Sequence, residues 1–110
     1  MSFLKRIFGA SGLEKRIIGD WFSDLSDEKT ASEIGDIKMS FNNDGKLVYE
    51  INEHDKTQII YLTFLIEGNK LITDQPSHPK KEETEVYFDE GDRLILKFDG
   101  VKTRFIKERL

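Results

Sequence analysis

The sequence predicts an all-β fold, an eight-stranded antiparallel meander barrel with a short N-terminal helix. Three observations carry the prediction. From residue 17 onward apolar side chains recur at every second position, the period of a half-buried strand. Tight-turn chemistry separates these runs at regular intervals, as in Asn42-Asn43-Asp44-Gly45, Glu90-Gly91-Asp92 and Asp99-Gly100. The 110 residues include no cysteine, so neither a disulfide nor a thiolate-bound metal can substitute for an apolar core. Eight strands are enough to close around an interior that holds side chains or one small ligand. Closure also removes the exposed edges of an open meander.

The chain divides into an N-terminal amphipathic helix, residues 1–16, and a barrel domain, residues 17–110. Phe3 and Ile7, and likewise Leu4 and Phe8, stand four apart and share a helical face. Gly9 and Gly12 break that helix, and Leu13 to Arg16 add a further turn. The expected strands are Ile17–Leu25, Asp36–Asn42, Lys46–Glu53, Gln58–Ile66, Lys70–Asp74, Thr84–Asp89, Arg93–Phe98 and Val101–Lys107. Between the first two, the polar stretch Ser26–Ile34 reads as a short helix or a loop. Pro76 and Pro79 place Gln75–Glu83 in a loop. The fourth strand is apolar on both faces: Ile59, Tyr61, Thr63 and Leu65 on one, Ile60, Leu62, Phe64 and Ile66 on the other. Its outward face needs a cover, either the N-terminal helix or a second subunit, and a helix on a sheet face is the ordinary solution.

Composition limits the function classes. Lys5, Arg6, Lys15 and Arg16 against Glu14 give residues 1–16 a net charge of +3; with the whole chain at −4, the remainder carries −7. An acidic body repels phosphate backbones, so no nucleic-acid partner is expected. The basic start is too short to bind anionic lipid firmly, which weighs against membrane association. It also lacks the apolar core of a secretory signal, and with the absence of cysteine this suggests the cytoplasm.

Catalytic and metal chemistry find little support. His54 and His78 fall in turns or loops. Asp74 and His78, four apart across Pro76, supply half a metal site with no further ligands at recognisable spacing. Asp24, Asp27 and Glu28 resemble a calcium loop in charge but not in order. No phosphate loop or nucleophile elbow is present. No enzyme activity, cofactor or metal is therefore expected.

One arrangement resembles a known family. Ile18-Gly19-Asp20-Trp21 is similar to the Gly-x-Trp signature of lipocalin-like (calycin) barrels. Phe105-Ile106-Lys107 stands where small bacterial lipocalin-like proteins carry Phe-x-Arg. The order of Gly-x-Trp, Phe-x-x-Asp-Gly, Gly-Asn-x-x-Ile, proline loop, Asp-Gly hairpin and Phe-x-basic spans residues 17–107. The resemblance implies an eight-stranded barrel in which Trp21 closes one end and packs against a basic residue of the last strand. Lys107 departs from the family's arginine, and Arg104 and Arg109 are alternative partners. Function is implied only broadly, since the superfamily holds carriers, inhibitors and enzymes.

The interior expected from strand alternation is apolar, and short strands with large inward side chains favour a filled core. A pocket in it suits a fatty or aromatic molecule, with Trp21, Met39, Phe41, Tyr49, Tyr61, Phe88 and Phe98 as its ligand-binding residues and Thr63 as a further polar contact. The expected function is therefore a non-enzymatic binding protein for a small hydrophobic ligand, as a monomer or weak homodimer. The alternative is a packed barrel that serves as a protein-interaction module.

Overall fold

A computed structural model describes residues 12–108 of the chain. Backbone over 12–17 is helical (α1). There follow β1 (Gly19–Ser23), α2 (Glu28–Glu33), β2 (Asp36–Phe41), β3 (Lys46–Glu53), β4 (Lys56–Glu67), β5 (Lys70–Asp74), β6 (Glu82–Phe88), β7 (Leu94–Phe98) and β8 (Val101–Ile106). Each strand pairs antiparallel with its neighbour in sequence, and β8 returns to β1 to close the barrel. The all-β meander expected from the sequence is the observed architecture. The polar stretch after β1 is helical, and Ile17 belongs to α1 rather than to the first strand, buried in the core. The helix expected through Phe3, Leu4, Ile7 and Phe8 lies outside the described residues.

The barrel has two unlike ends. At one end lie α1, the start of β1 and the β2–β3, β4–β5 and β6–β7 turns; at the other lie α2 and the β3–β4, β5–β6 and β7–β8 connections. Alternation sends Met39, Phe41, Leu47, Val86, Leu94 and Phe105 inward, where all are buried.

Closure is thinnest between β1 and β8, which pair only at Phe22↔Ile106 and Ser23↔Phe105. The chain leaves the sheet at Asp24, and side chains complete the seam. The Asp24 N–H still donates to the Arg104 carbonyl at 2.8 Å. The Arg104 N–H has no further β1 carbonyl to meet and donates instead to Thr30 Oγ1 of α2, at 2.8 Å. The Thr30 hydroxyl in turn donates to Asp27 Oδ2 at 2.5 Å, and the same carboxylate caps α2 by accepting the Thr30 N–H. Arg104 Nε closes the circuit on Asp24 Oδ2 at 2.8 Å. On the far side of β1, the buried Ser23 hydroxyl donates to the Gly35 carbonyl and accepts from the Ile37 N–H. Gly35 adopts φ 69°, which lets α2 end and turn directly into β2.

Burial would raise the Asp24 carboxyl pKa, but hydrogen bonds from Ser26 and Arg104 outweigh it and hold the group below its ordinary value. A lowered folded-state value means that Asp24 stabilises the barrel above the ordinary aspartate range near about pH 4 and loses that contribution as pH falls through the folded value. Asp24→Asn is therefore expected to cost about 1–3 kcal/mol at pH 7 and to make stability less sensitive to acid below about pH 4. Urea unfolding at both pH values checks this; equal acid sensitivity in the variant and the parent would contradict it.

Candidate functional site

The α1 end is sealed. Trp21 is 2% exposed and its indole N–H donates to the Ile17 carbonyl at 2.8 Å, tying strand to helix. Phe88 packs beside it with ring centroids 5.6 Å apart. Two cations finish the seal from outside: Lys107 Nζ lies 4.5 Å from the Trp21 ring centroid, and the Arg16 guanidinium 3.8 Å from that of Phe88. The same Lys107 ammonium donates to the Ile18 carbonyl at 3.2 Å. Gly19 is favoured here by its backbone, whose φ of 123° is open to glycine. Lys107 Nζ would also have to shift to admit a side chain, since a Cβ would stand 2.7 Å from it. The basic partner of Trp21 is thus Lys107. Arg104 is engaged in the seam, and Arg109 lies outside the described residues.

The α2 end is open. A cavity of about 540 Å³ runs from this mouth into the barrel, within the size range of small-molecule sites. Its wall is apolar, built from Met39, Leu47, Tyr49, Leu62, Leu71 and Phe105 among others. Threonines at 73, 84 and 103 supply hydroxyls, and Phe98 forms part of the rim. Burial pushes the Tyr49 phenol pKa up, so it stays a neutral hydroxyl at physiological pH. Three carboxylates, Glu33, Glu82 and Asp99, lie around the mouth. No lysine, arginine or histidine lines the cavity among the described residues.

The seven ligand residues expected from sequence separate into three groups. Met39, Tyr49 and Phe98 line the cavity. Trp21, Phe41 and Phe88 are interior but belong to the filled half; Phe41 is spent edge-on against Phe64 at 5.0 Å between centroids. Tyr61 is a correction: it stands on the outer wall, 67% exposed. The reason is turn length. Glu53 pairs with Lys56 around the two-residue turn His54-Asp55. Inward Leu47, Tyr49 and Ile51 therefore face even-numbered partners, Leu62, Ile60 and Gln58. The odd face of β4, with Ile59, Tyr61, Thr63 and Leu65, is left outside, so Thr63 is no pocket contact either.

Sequence alternation also missed Leu62, Leu71 and the three threonines. Leu71 and Thr73 alternate with Lys70 and Ile72, and that pattern would have revealed the β5 contribution. A filled core was favoured by strand length. It is overturned because the smaller, β-branched inward residues collect at one end.

Other candidate chemistry is absorbed by the scaffold. Asp24 serves the seam and Asp27 caps α2. Asp74 accepts the Lys80 N–H at 2.9 Å, while His78 Nδ1 contacts Ser77 Oγ in the exposed loop. Among the described residues no cluster of three or more His, Asp or Glu side chains is placed to hold a metal, and no helix is long and apolar enough to cross a membrane. Comparison with protein-family models, curated proteins and solved structures returned no match.

If Trp21 seals the barrel floor, Trp21→Ala should lower unfolding free energy by about 3–5 kcal/mol. Denaturant unfolding followed by circular dichroism measures it, and a loss below about 1 kcal/mol would contradict the role of Trp21 as a plug.

Proposed function

We propose that this protein is a lipocalin-like, non-enzymatic cytoplasmic binding protein that holds one small hydrophobic ligand in the open half of its barrel. The single observation that carries the reading is the apolar cavity of about 540 Å³, sealed at the Trp21 end and open at the α2 end. The lipocalin-like assignment draws support from the closed meander and from Gly19, Trp21 and Lys107 meeting as that resemblance implies. The non-enzymatic reading draws on the lining, in which, among the described residues, no hydroxyl of Thr73, Thr84, Thr103 or Tyr49 is hydrogen-bonded to a carboxylate or imidazole that could act as its base. A packed interior would have favoured an interaction module, and the cavity weighs against it.

The mouth refines the ligand class. Glu82 and Asp99, with Glu33 paired to Lys29 at 3.1 Å, create a negative rim, and no cation stands among the lining residues described. A fatty carboxylate would bring like charge to that rim. A neutral or cationic head group suits it, with the threonine hydroxyls and Tyr49 as hydrogen-bond partners and the apolar tail below.

Titration of the neutral dye N-phenyl-1-naphthylamine should give saturable fluorescence enhancement with the protein folded. Decylammonium should displace the dye at roughly tenfold lower concentration than decanoate, about 1.4 kcal/mol in its favour. Leu62→Trp, which fills the cavity, should weaken dye binding at least about tenfold. Absence of saturable binding well above micromolar concentrations, with a native near-ultraviolet spectrum, would sink the proposal.

A further inference from the structure

The β3–β4 hairpin overhangs the barrel. β4 runs from Lys56 to Glu67, but its pairing with β5 begins only at Thr63↔Asp74. Pro76, two residues past Asp74, has no N–H with which to continue the ladder. Residues 56–62 therefore pair with β3 on one side and with no described strand on the other. Phe64 donates its N–H to the Gly45 carbonyl on the β3 side at 2.9 Å. Alternation then directs every even-numbered residue of β4 toward β3 and every odd-numbered one toward the free side. Thr57, Ile59 and Tyr61 thus present donors and acceptors with no backbone partner among the described residues, along an edge whose residues between Lys56 and Glu67 include no charge, proline or glycine. An edge of that kind is a template for another strand, and natural barrels protect or cover it.

We propose that this edge pairs antiparallel with the same edge of a second copy of the chain, about a two-fold axis at Ile59. The geometry selects that occupant and that register. The free segment 56–62 is centred on residue 59, and residue 59 faces the free side. Placing Ile59 opposite its symmetry mate sets Thr57 opposite Tyr61, so every unused backbone group of the edge finds a partner. A shift of the axis to residue 60 sets Thr57 opposite Thr63, already committed to Asp74, and a shift to residue 58 sets Tyr61 opposite Asp55 in the turn. The side chains agree. Ile59 meets Ile59 across the axis and Thr57 meets Tyr61, joining the exposed apolar faces of both copies, where Ile59 is 47% and Tyr61 67% exposed. Lys56 falls opposite Leu62, so no like charges oppose one another. The interface is isologous and closed, which uses up the edge without leading to fibres. It is independent of what the cavity binds.

Sedimentation velocity on the full chain tests the proposal over a concentration series reaching hundreds of micromolar. A reversible dimer is expected. Ile59→Lys, which puts like charges on the axis, should raise the dimer dissociation constant at least about tenfold. Ile59→Pro should do the same; its N–H faces the free side, so the barrel's own ladder is intact. Both variants should keep the parent's circular dichroism spectrum and melting temperature extrapolated to low concentration. Leu65→Lys lies on the outer face but within the stretch covered by β5, and it should leave the dimer unchanged. A full chain that stays monomeric overturns the proposal. So does a dimer that survives both Ile59 variants and is lost in Leu65→Lys, since that would place the contact on the outer face instead of the edge.

Discussion

The structure depends on joining its first and last strands. β1 is five residues long, and only two register pairs bind it to β8 before the chain turns away at Asp24. A barrel left open there would expose the interior along its whole height. The gap is filled by a helix acting as a surrogate strand: the Thr30 hydroxyl takes the place of a missing β1 carbonyl for the Arg104 N–H. The Asp24–Arg104 ion pair, 2.8 Å and largely shielded from water, holds the departing chain against β8. An unsatisfied buried N–H is costly, so the threonine matters more as an acceptor than as a helix former. The same device shapes the site, because α2, once fastened, carries Glu33 and Ile34 to the cavity mouth.

The cavity follows from how side-chain volume is distributed along the barrel axis. Toward the closed end, Trp21 packs on Phe88 and Phe41 packs on Phe64. Toward the open end, Thr73, Thr84, Thr103 and Val101 share the wall with Tyr49, Phe98 and Phe105. These β-branched residues suit strands but do not reach the axis. The solid floor made by the closed end supports the open half, with Lys107 and Arg16 capping the rings from outside. Rigidity at one end and space at the other are two consequences of one uneven allocation of residues.

Much of this was legible in the sequence. Every inward residue on β2 follows from strict alternation, and Asn42 to Gly45 announces the hairpin that fixes its register with β3. Gly19 and Trp21 stood out through the resemblance to lipocalin-like barrels, which left Lys107, Arg104 and Arg109 as candidate basic partners; the contact of Lys107 with the indole ring selects among them. The phase of β4 was not legible from composition, since both of its faces are apolar. It was set by a turn two residues long, and reading that turn one residue longer sends Tyr61 to the wrong side of the wall. Nor could alternation reveal the cavity, because an inward threonine and an inward leucine look alike to a period-two pattern while filling different volumes. The seam was hidden for another reason: Thr30 and Arg104 are 74 residues apart, and no local pattern links a helix hydroxyl to a strand N–H.

The central claim is that the barrel is solid at the Trp21 end and receives a ligand only through the α2 end. Amide chemical-shift mapping of decylammonium binding by nuclear magnetic resonance tests it most directly. The account predicts saturable shifts concentrated at Tyr49, Leu62, Leu71, Thr84 and Thr103, with the amides around Gly19, Trp21 and Phe88 little changed. Shifts centred on Trp21 and Phe88, or spread over the outer face of β4 with the interior silent, would contradict it.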